Sequence, residues 1–593
     1  MQGKKRQNHD FLTETAPMLT PLIRPRRIAN RTAAFLLALS VCFAVFSANT
    51  LACTGIYAGC GVTENGSVYI GRSEDYGPDY GKQFIIVPAA DHAEGEMLAD
   101  DHGFCAPYPA HTLRYSAVID NPSVYSGQTL FPYAEAGTNE KGVSVSATVS
   151  TYFNEKVREI DPLTLGGLTE MSMTSYILQS AESARDGVRL LADCIDRYGH
   201  GNSNAAAPDS REVSTVFIAD REETWIFEAV SGHQYVATRL SDNTVSLIPN
   251  AMMTGQINIR DSNVIASPGL ISTAKAGGFY VSDTEGEDEV NVAKSYSEGY
   301  AGYSSYRYYY GAYVLNRDLA ETTDVVPEPA AELADQYPNA SLEQIAAGPF
   351  LMEYRPSDER NGTIDLLTLR QVFTSHGEGS QYETSSKNVN QEGVPMRSIG
   401  TYRQNEEHIF EIRRDAQIPV SVCTIEWLSM GPSEFSVFIP FYSAAMTKTP
   451  NAYATATAYE FDSASVYWLF NEIGNAGNGN YYRMDDKGVY HDRTGKEIQT
   501  ETAEAVLQYL SGREFVEGLR DFMSSVQEVI NVKAASDDKR MIRFAGAASD
   551  EEVSAMADQL AYENSEYIKR IASEKLAQID EYVSNHIISI SRK

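Results

Sequence analysis

The sequence predicts an α+β protein, and three observations predict it. Between Cys53 and about Ile498, short runs rich in β-branched and aromatic residues alternate with turn residues, the pattern of half-buried strands. Ser183 to Tyr198 carries helical spacing instead: Leu190, Leu191 and Ile195 share a face with Cys194 beside them, Ser183 stands as N-cap and Gly199 as stop. From Thr500 to Lys593 helical spacing takes over, in Ala505, Leu507, Leu510 and Phe515 and again in Met556, Leu560, Ile568 and Ile571. The polar stretch Ala534-Ala535-Ser536-Asp537 predicts a break between two helical segments, the second with a solvated outer face and no chemistry of its own. No Gly/Ser-rich or Pro-rich linker separates larger units, so the expected organisation is a leader over 1–52, one elaborated domain over 53–498 and a helical region over 499–593.

The leader is read from its flanks. Arg24, Arg26, Arg27 and Arg31 precede an apolar run from Ala33 to Phe46, and Ser47 to Ala52 offer the small residues that a signal peptidase reads. The run is shorter than the roughly 20 residues that span a bilayer. Cleavage between Ala52 and Cys53 is therefore expected, with export as its consequence, and a start at Met18 would give the leader an ordinary length. Leu51-Ala52-Cys53 faintly resembles a lipoprotein signal, but Thr50 stands where such signals prefer an aliphatic residue. Nothing after the leader reads as transmembrane. Loss of residues 1–52 moves the net charge from -32 to -37, which argues against nucleic acid or an anionic membrane as partner and leaves a homo-oligomer open.

Five cysteines follow the leader: Cys53, Cys60, Cys105, Cys194 and Cys423. An odd number leaves at least one thiol unpaired if the rest pair within the chain, and so few make no disulfide scaffold. Cys194, on the apolar face of its helix, is expected to be core. Cys53 is different.

Thr54 to Gly61 and Ser67 to Arg72 read as strands about the tight-turn signal Asn65-Gly66. Register counted from that turn sets Asp75 across from about Ile56 and brings Arg72 and Asp75 back towards Cys53. The same pair also suits an ordinary ion pair at a strand end. An N-terminal cysteine needs no histidine, because its α-amine, with a pKa near 7.7 to 8.0, can take the thiol proton. A nearby Arg would favour thiolate, and an Asp would orient the ammonium that forms.

Cys53-Thr54, the hairpin and Gly71-Arg72-Ser73-Glu74-Asp75 resemble the opening of the cysteine dipeptidases among the N-terminal-nucleophile hydrolases, the dipeptidase A and secernin-like family. Members usually have Arg-Asn-Glu-Asp, so Ser73 departs while Arg72 and Asp75 remain. The likeness continues in order through Gly137-Thr138-Asn139-Glu140-Lys141-Gly142-Val143, with a similar segment in penicillin V acylases and bile salt hydrolases. Asp161-Pro162-Leu163-Thr164, Ile218-Ala219-Asp220, Ser231-Gly232-His233, Asn250, Ser375-His376-Gly377-Glu378-Gly379, Pro440-Phe441-Tyr442 and Tyr467-Trp468 extend it to about Phe470. The resemblance implies a four-layered αββα sandwich, Cys53 as nucleophile on an inner strand, and hydrolysis of dipeptides or short peptides.

Acyl transfer also needs a donor for the developing oxyanion. Asn250, after the β-like run Val245 to Ile248, is the candidate by resemblance to the acylases, and a backbone donor near Ala147-Thr148 would add to it. As an alternative Asn250 simply caps a turn; Asn139 is expected to shape the turn of Glu140-Lys141-Gly142. Arg307, within Ser304 to Tyr310, reads first as part of an aromatic packing segment and second as a site residue. His376 reads as a loop histidine. Asp91, His92, Glu94, Glu96, Asp100, Asp101 and His102 read as a solvated acidic loop rather than a cation site. With no His-Glu-x-x-His, phosphate-cradling Gly loop or Gly-x-Ser-x-Gly, no metal and no cofactor are expected. Two other functions compete: hydrolysis of a non-peptide amide of the penicillin or bile salt type, and a non-enzymatic surface lipoprotein anchored through Cys53.

Overall fold

The computed structural model describes residues 53–77, 80–100, 102–122, 133–201, 210–298, 302–316, 352–353, 363–380, 383–384, 397–454 and 457–591. The leader, the Ala52–Cys53 bond on its N-terminal side and Asp101 lie outside them.

The chain is a mixed α and β protein with a helical C-terminal region. The strands of its two large sheets are β1 (Thr54–Ala58), β2 (Ser67–Asp75), β3 (Lys82–Val87), β4 (Tyr115–Asp120), β5 (Ala134–Thr138) and β6 (Ser144–Tyr152). They continue with β7 (Glu212–Ala219), β8 (Thr224–Ala229), β9 (Tyr235–Arg239), β10 (Thr244–Ile248), β11 (Val264–Ala266) and β12 (Met352–Glu353). The last three in these two sheets are β13 (Gln404–Arg413), β14 (Thr424–Met430) and β15 (Ile439–Phe441). One antiparallel sheet runs β12-β10-β1-β2-β13-β14-β15 and the other β11-β9-β8-β7-β6-β5-β4-β3. β6 lies against β1 and β2, and β5 against β14, so the two sheets meet at the strand that begins after Cys53.

Helices α1 (Glu170–Leu178) and α2 (Ala184–Tyr198) pack on the second sheet, and α3 (Gly302–Leu315) packs on β10 of the first. In α2 the Ser183 hydroxyl accepts from Asp186 N, and Gly199 ends the helix at φ 74°, as the sequence predicts. Cys194 is buried there. Helix α4 (Leu366–Phe373) lies against α3, and α5 (Val466–Gly477) packs on β14.

The hairpin register differs from the expected one. Thr54 pairs with Ser73 and Gly55 with Arg72, so Asp75 falls opposite the position before Cys53 rather than near Ile56. The cause is the length of the connection. Gly59 N and Gly61 N bond to Thr244 O and Asp242 O, which binds the end of β1 to the β10 side and leaves eight residues between the paired strands. A Cβ on Gly59 would sit 2.3 Å from Asp242 O, so only glycine permits that approach. Asn65-Gly66 makes just the last turn, with Asn65 Oδ1 accepting from Ser67 N and Gly66 at φ 69°.

The space between the sheets is polar as well as apolar. Ser146 Oγ and His408 Nε2 are 2.7 Å apart, and Ser116 Oγ donates to Glu426 Oε2 at 2.8 Å. Burial pushes the Glu426 carboxyl up to about 7, against the stabilising bonds from Ser443 and Ser116. The folded protein therefore holds this proton longer than the unfolded chain, and the group's effect is loss of stability as pH rises from about 4.5 to about 7, at about 1.4 kcal/mol per pH unit of separation. Glu426→Gln, neutral at every pH, is expected to flatten that decline in urea midpoints taken between pH 5 and pH 7.5.

The C-terminal helices are α6 (Thr500–Leu510), α7 (Arg513–Ala545) and α8 (Asp550–Ser591). Helix α7 runs through Ala534-Ala535-Ser536-Asp537, correcting the expected break. Two alanines are strong helix formers, Ala534 is buried, and Asp537 pairs with Lys533 one turn back. The interruption comes at Gly546 to Ser549, where Ser549 and Glu552 cap α8 reciprocally. Gln527 of α7 is buried against Phe438, just before the edge strand β15: its Oε1 accepts from Phe438 N at 2.7 Å and its Nε2 donates to Phe438 O at 3.0 Å. Among the described residues no helix is long and apolar enough to cross a membrane.

Candidate active site

Strand alternation and the hairpin register build the site from β1 and β2. Cys53 and Gly55 point to one face, and Arg72, directly across from Gly55, projects to that face with no side chain between. Its Nη2 lies 3.0 Å from Cys53 Sγ. Its Nη1 donates to Glu135 Oε2 and to Ala147 O, each at 2.5 Å. Ala147 belongs to a bulge in β6, where the pairing with β7 slips between Ser146 and Val149, the kind of irregularity that re-aims a strand beside a site.

Asn250 follows β10 and is the one non-glycine among the described residues at positive φ, 59°. Asn tolerates that conformation better than most residues. The turn carries its amide back to β1, where Oδ1 accepts from Cys53 N at 2.9 Å and Nδ2 donates to Ser150 O at 2.9 Å. An amide nitrogen has two hydrogens, so one remains for another acceptor. Below this turn the buried Glu228 accepts from Met253 N and Thr254 N at 2.8 and 3.0 Å.

Arg307 corrects the packing interpretation. Helix α3 is lined with buried tyrosines, as expected, but the fully buried Arg307 among them donates to Cys53 O, Thr54 Oγ1 (3.1 Å), Pro249 O (2.9 Å) and Asn250 Oδ1 (2.8 Å). The signal that could have found it is a single cation in a run of tyrosines, with no acidic residue beside it in the sequence. Such a charge, once buried, must find carbonyl oxygens.

Asp75 is brought near but makes no direct bond to Cys53. Its Oδ2 pairs with Arg397 at 2.6 Å, while Oδ1 has no hydrogen-bond partner among the described residues. Burial raises its carboxyl despite Arg397, Arg307 and Arg72, which act the other way. The Cys53 thiol also departs from expectation. Burial pushes it up to about 11; Arg72 lowers it, as anticipated, yet desolvation wins, with Asp75 and Glu74 adding to the rise. The thiol therefore needs a base.

The remaining residues fall outside this cluster. His376 is buried, its Nε2 3.3 Å from Glu434; burial presses its pKa down, but the Glu434 carboxylate prevails and raises it. Asn139 shapes its turn, Oδ1 accepting from Lys141 N and Val143 N. In the acidic loop His92 stacks on Tyr108 and bonds Glu96, and Asp91 pairs with His111. A three-carboxylate cluster stands elsewhere, at Glu74, Asp120 and Glu135. Lys82 Nζ occupies its midst, 2.6 Å from Glu74 and 3.1 Å from Glu135 and bonded to Asp120, so an ammonium already takes the place a cation would fill. Among the described residues the five cysteines are unpaired.

A thiol at a strand end, held by a guanidinium beside an amide donor, is equipped for acyl transfer. The sequence model of peptidase family C69 matches residues 52–493, so the chain belongs to that family and is a peptidase. Among its relatives, "Probable dipeptidase B" of Streptococcus pyogenes serotype M1 is 32% identical over 431 residues, 72% of this chain and 78% of the relative. "Probable dipeptidase" of Salmonella dublin is 29% identical over 394 residues, 66% of this chain and 81% of that protein. "Probable dipeptidase B" of Lactococcus lactis subsp. lactis is 24% identical over 470 residues, 77% and 90% of the two chains. Helices α6 to α8 begin after the matched span.

Proposed function

We propose that the protein is an exported cysteine dipeptidase whose mature chain begins at Cys53, with 1–52 as leader, 53–498 as catalytic domain and 499–593 as a helical region. One observation carries the reading: all three heteroatoms of Cys53 are held by different side chains, N by Asn250, O by Arg307 and Sγ by Arg72. A packing cysteine has no use for that. The two facing sheets, with α1 and α2 on one and α3 on the other, support the four-layered αββα sandwich of N-terminal-nucleophile hydrolases.

Cleavage at Ala52–Cys53 turns the backbone N into an amine beside the thiol. That amine takes the thiol proton, the thiolate attacks the peptide carbonyl, and the spare Nδ2 hydrogen of Asn250 holds the oxyanion. The ammonium then protonates the leaving amine, and water releases the acyl group from the thioester. Arg72 stays on the sulfur, and the unpartnered Oδ1 of Asp75 is available to the ammonium. The activity belongs outside the cytoplasm or at the cell envelope.

The test joins two measurements on processed protein. Intact mass is expected to give a bare Cys53 terminus, and a panel of dipeptides is expected to be cleaved in preference to penicillin V and bile salt conjugates. A diacylglyceryl mass at Cys53 would overturn the catalytic reading, and preference for the non-peptide amides would overturn the substrate.

A further inference from the structure

The guanidinium of Arg72 is held at only part of its rim. Among the described residues its Nε has no hydrogen-bond partner. Nη2 faces the Cys53 sulfur, so the orientation of the fork rests on the two bonds of Nη1, to Ala147 O and Glu135 Oε2. Only Glu135 is charged, and a charge-assisted bond is roughly twice as strong as a neutral one. A rival stands close, because Glu406 Oε1 lies 3.9 Å from the same Nη1. Without Glu135, the nearest carboxylate would draw the fork towards β13.

Glu135 is itself fixed. Its second oxygen lies 3.1 Å from Lys82 Nζ, and Lys82 is gripped in turn by Glu74 and Asp120. Burial alone would raise the Glu135 carboxyl, but Lys82 and Arg72 outweigh it and hold it at about 2. Its carboxylate is therefore charged near neutral pH. The pairs Lys82–Glu135 and Glu135–Arg72 step from β3 to β5 within one sheet and from β5 to β2 of the other.

We propose that Glu135, locked by Lys82, is the positioning residue that aims Arg72 at Cys53, so that the reactivity of the thiol is set by ions lying between the sheets. The proposal rests on Cys53 being the nucleophile. The charged and titratable groups around the thiol and its guanidinium are Arg72, Glu74 and Asp75 of β2, Glu135 of β5 with the Tyr133 hydroxyl donating to its Oε2 at 3.4 Å, Glu406 and His408 of β13, and Arg307 of α3, with Arg397 behind Asp75. Of these, Glu135 is the one whose removal frees Arg72.

The test compares Glu135→Ala and Glu135→Gln in dipeptide kinetics and in the pH dependence of Cys53 alkylation by iodoacetamide, read as modified peptide mass. Alkylation needs no turnover. For Glu135→Ala, kcat is expected to fall about tenfold or more with KM within about twofold, and the alkylation profile to move up by about one pH unit as the sulfur loses its donor. Glu135→Gln keeps an acceptor but loses the charge-assisted bond, and is expected to fall between the wild type and Glu135→Ala on both readouts. If Glu135→Ala does not fold, Glu135→Asp, which withdraws the carboxylate by one methylene, decides on the same readouts. A folded variant with the wild-type alkylation profile overturns the proposal, whether or not kcat falls, because loss of rate alone marks a structural role. That failure is distinct from failure of the catalytic reading, which shows itself as turnover retained in Cys53→Ala.

Discussion

Replacing Cys53 with alanine in correctly processed protein is expected to reduce dipeptide hydrolysis by about 10,000-fold or more, the scale seen when a covalent nucleophile is removed. The fold should survive, because the change removes one sulfur at the start of β1 and leaves the backbone bonds of Cys53 N and O to Asn250 and Arg307 intact. A single buried sulfur costs at most a few kcal/mol, as other large-to-small core changes do. Circular dichroism and a urea midpoint near the wild-type value, together with absent turnover, are the expected pair of results. Cys53→Ser should be nearly as inactive, since an alcohol is a far weaker acid than a thiol and the neighbouring amine could not deprotonate it as readily. Turnover near the wild-type rate in Cys53→Ala would refute the assignment.

The second large effect is expected at Asn250, where backbone and side-chain roles can be separated. Alanine removes the amide and is also forced to hold φ near 59°, a conformation that costs an L-residue about 1 to 2 kcal/mol. Glycine removes the amide without that strain. Both variants are expected to lose about 100- to 1,000-fold in kcat, the range for one oxyanion donor, and both lose stability with the amide's buried bonds to Cys53, Ser150 and Arg307, Asn250→Ala more than Asn250→Gly because only alanine adds the strain. If Asn250→Gly kept the wild-type kcat, the amide would have no part in the reaction and Asn250 would be a turn residue alone.

What could be read from the sequence follows the range of the contacts. Cys53 and Arg72 are 19 residues apart on one hairpin, so their proximity follows from local strand and turn signals. Even there a count from Asn65-Gly66 gives the wrong register, because that pair looks like a complete two-residue turn while the bonds to Asp242 and Thr244 that lengthen the connection come from a distant part of the chain. Asn250 was accessible through resemblance to relatives rather than through any pattern of its own. Its bond to Cys53 N spans 197 residues, and no periodicity encodes that bond or its positive φ. Arg307 carries only a weak signal, and Glu135 none, for the same reason. One is an arginine among tyrosines and the other a glutamate in a five-residue strand; each acquires its meaning only when elements far apart in the chain stack. Helix α7 shows the opposite failure, a local polar signal overridden by alanine propensity and a one-turn ion pair.

The bond pair between Gln527 and Phe438 has a consequence for where the protein can be shortened. β15 is the outer strand of its sheet, and an outer strand with open peptide groups is a template on which other chains can lay theirs. By turning its amide onto both peptide groups of Phe438, Gln527 gives the approach to that rim an intramolecular partner, and α8 packs directly along β15. A chain cut back at residue 498 would retain Cys53, Arg72, Asn250 and Arg307 and still be expected to gather into oligomers or precipitate, visible as early elution in size-exclusion chromatography. In colloidal terms, the last 95 residues make the protein sociable only by choice.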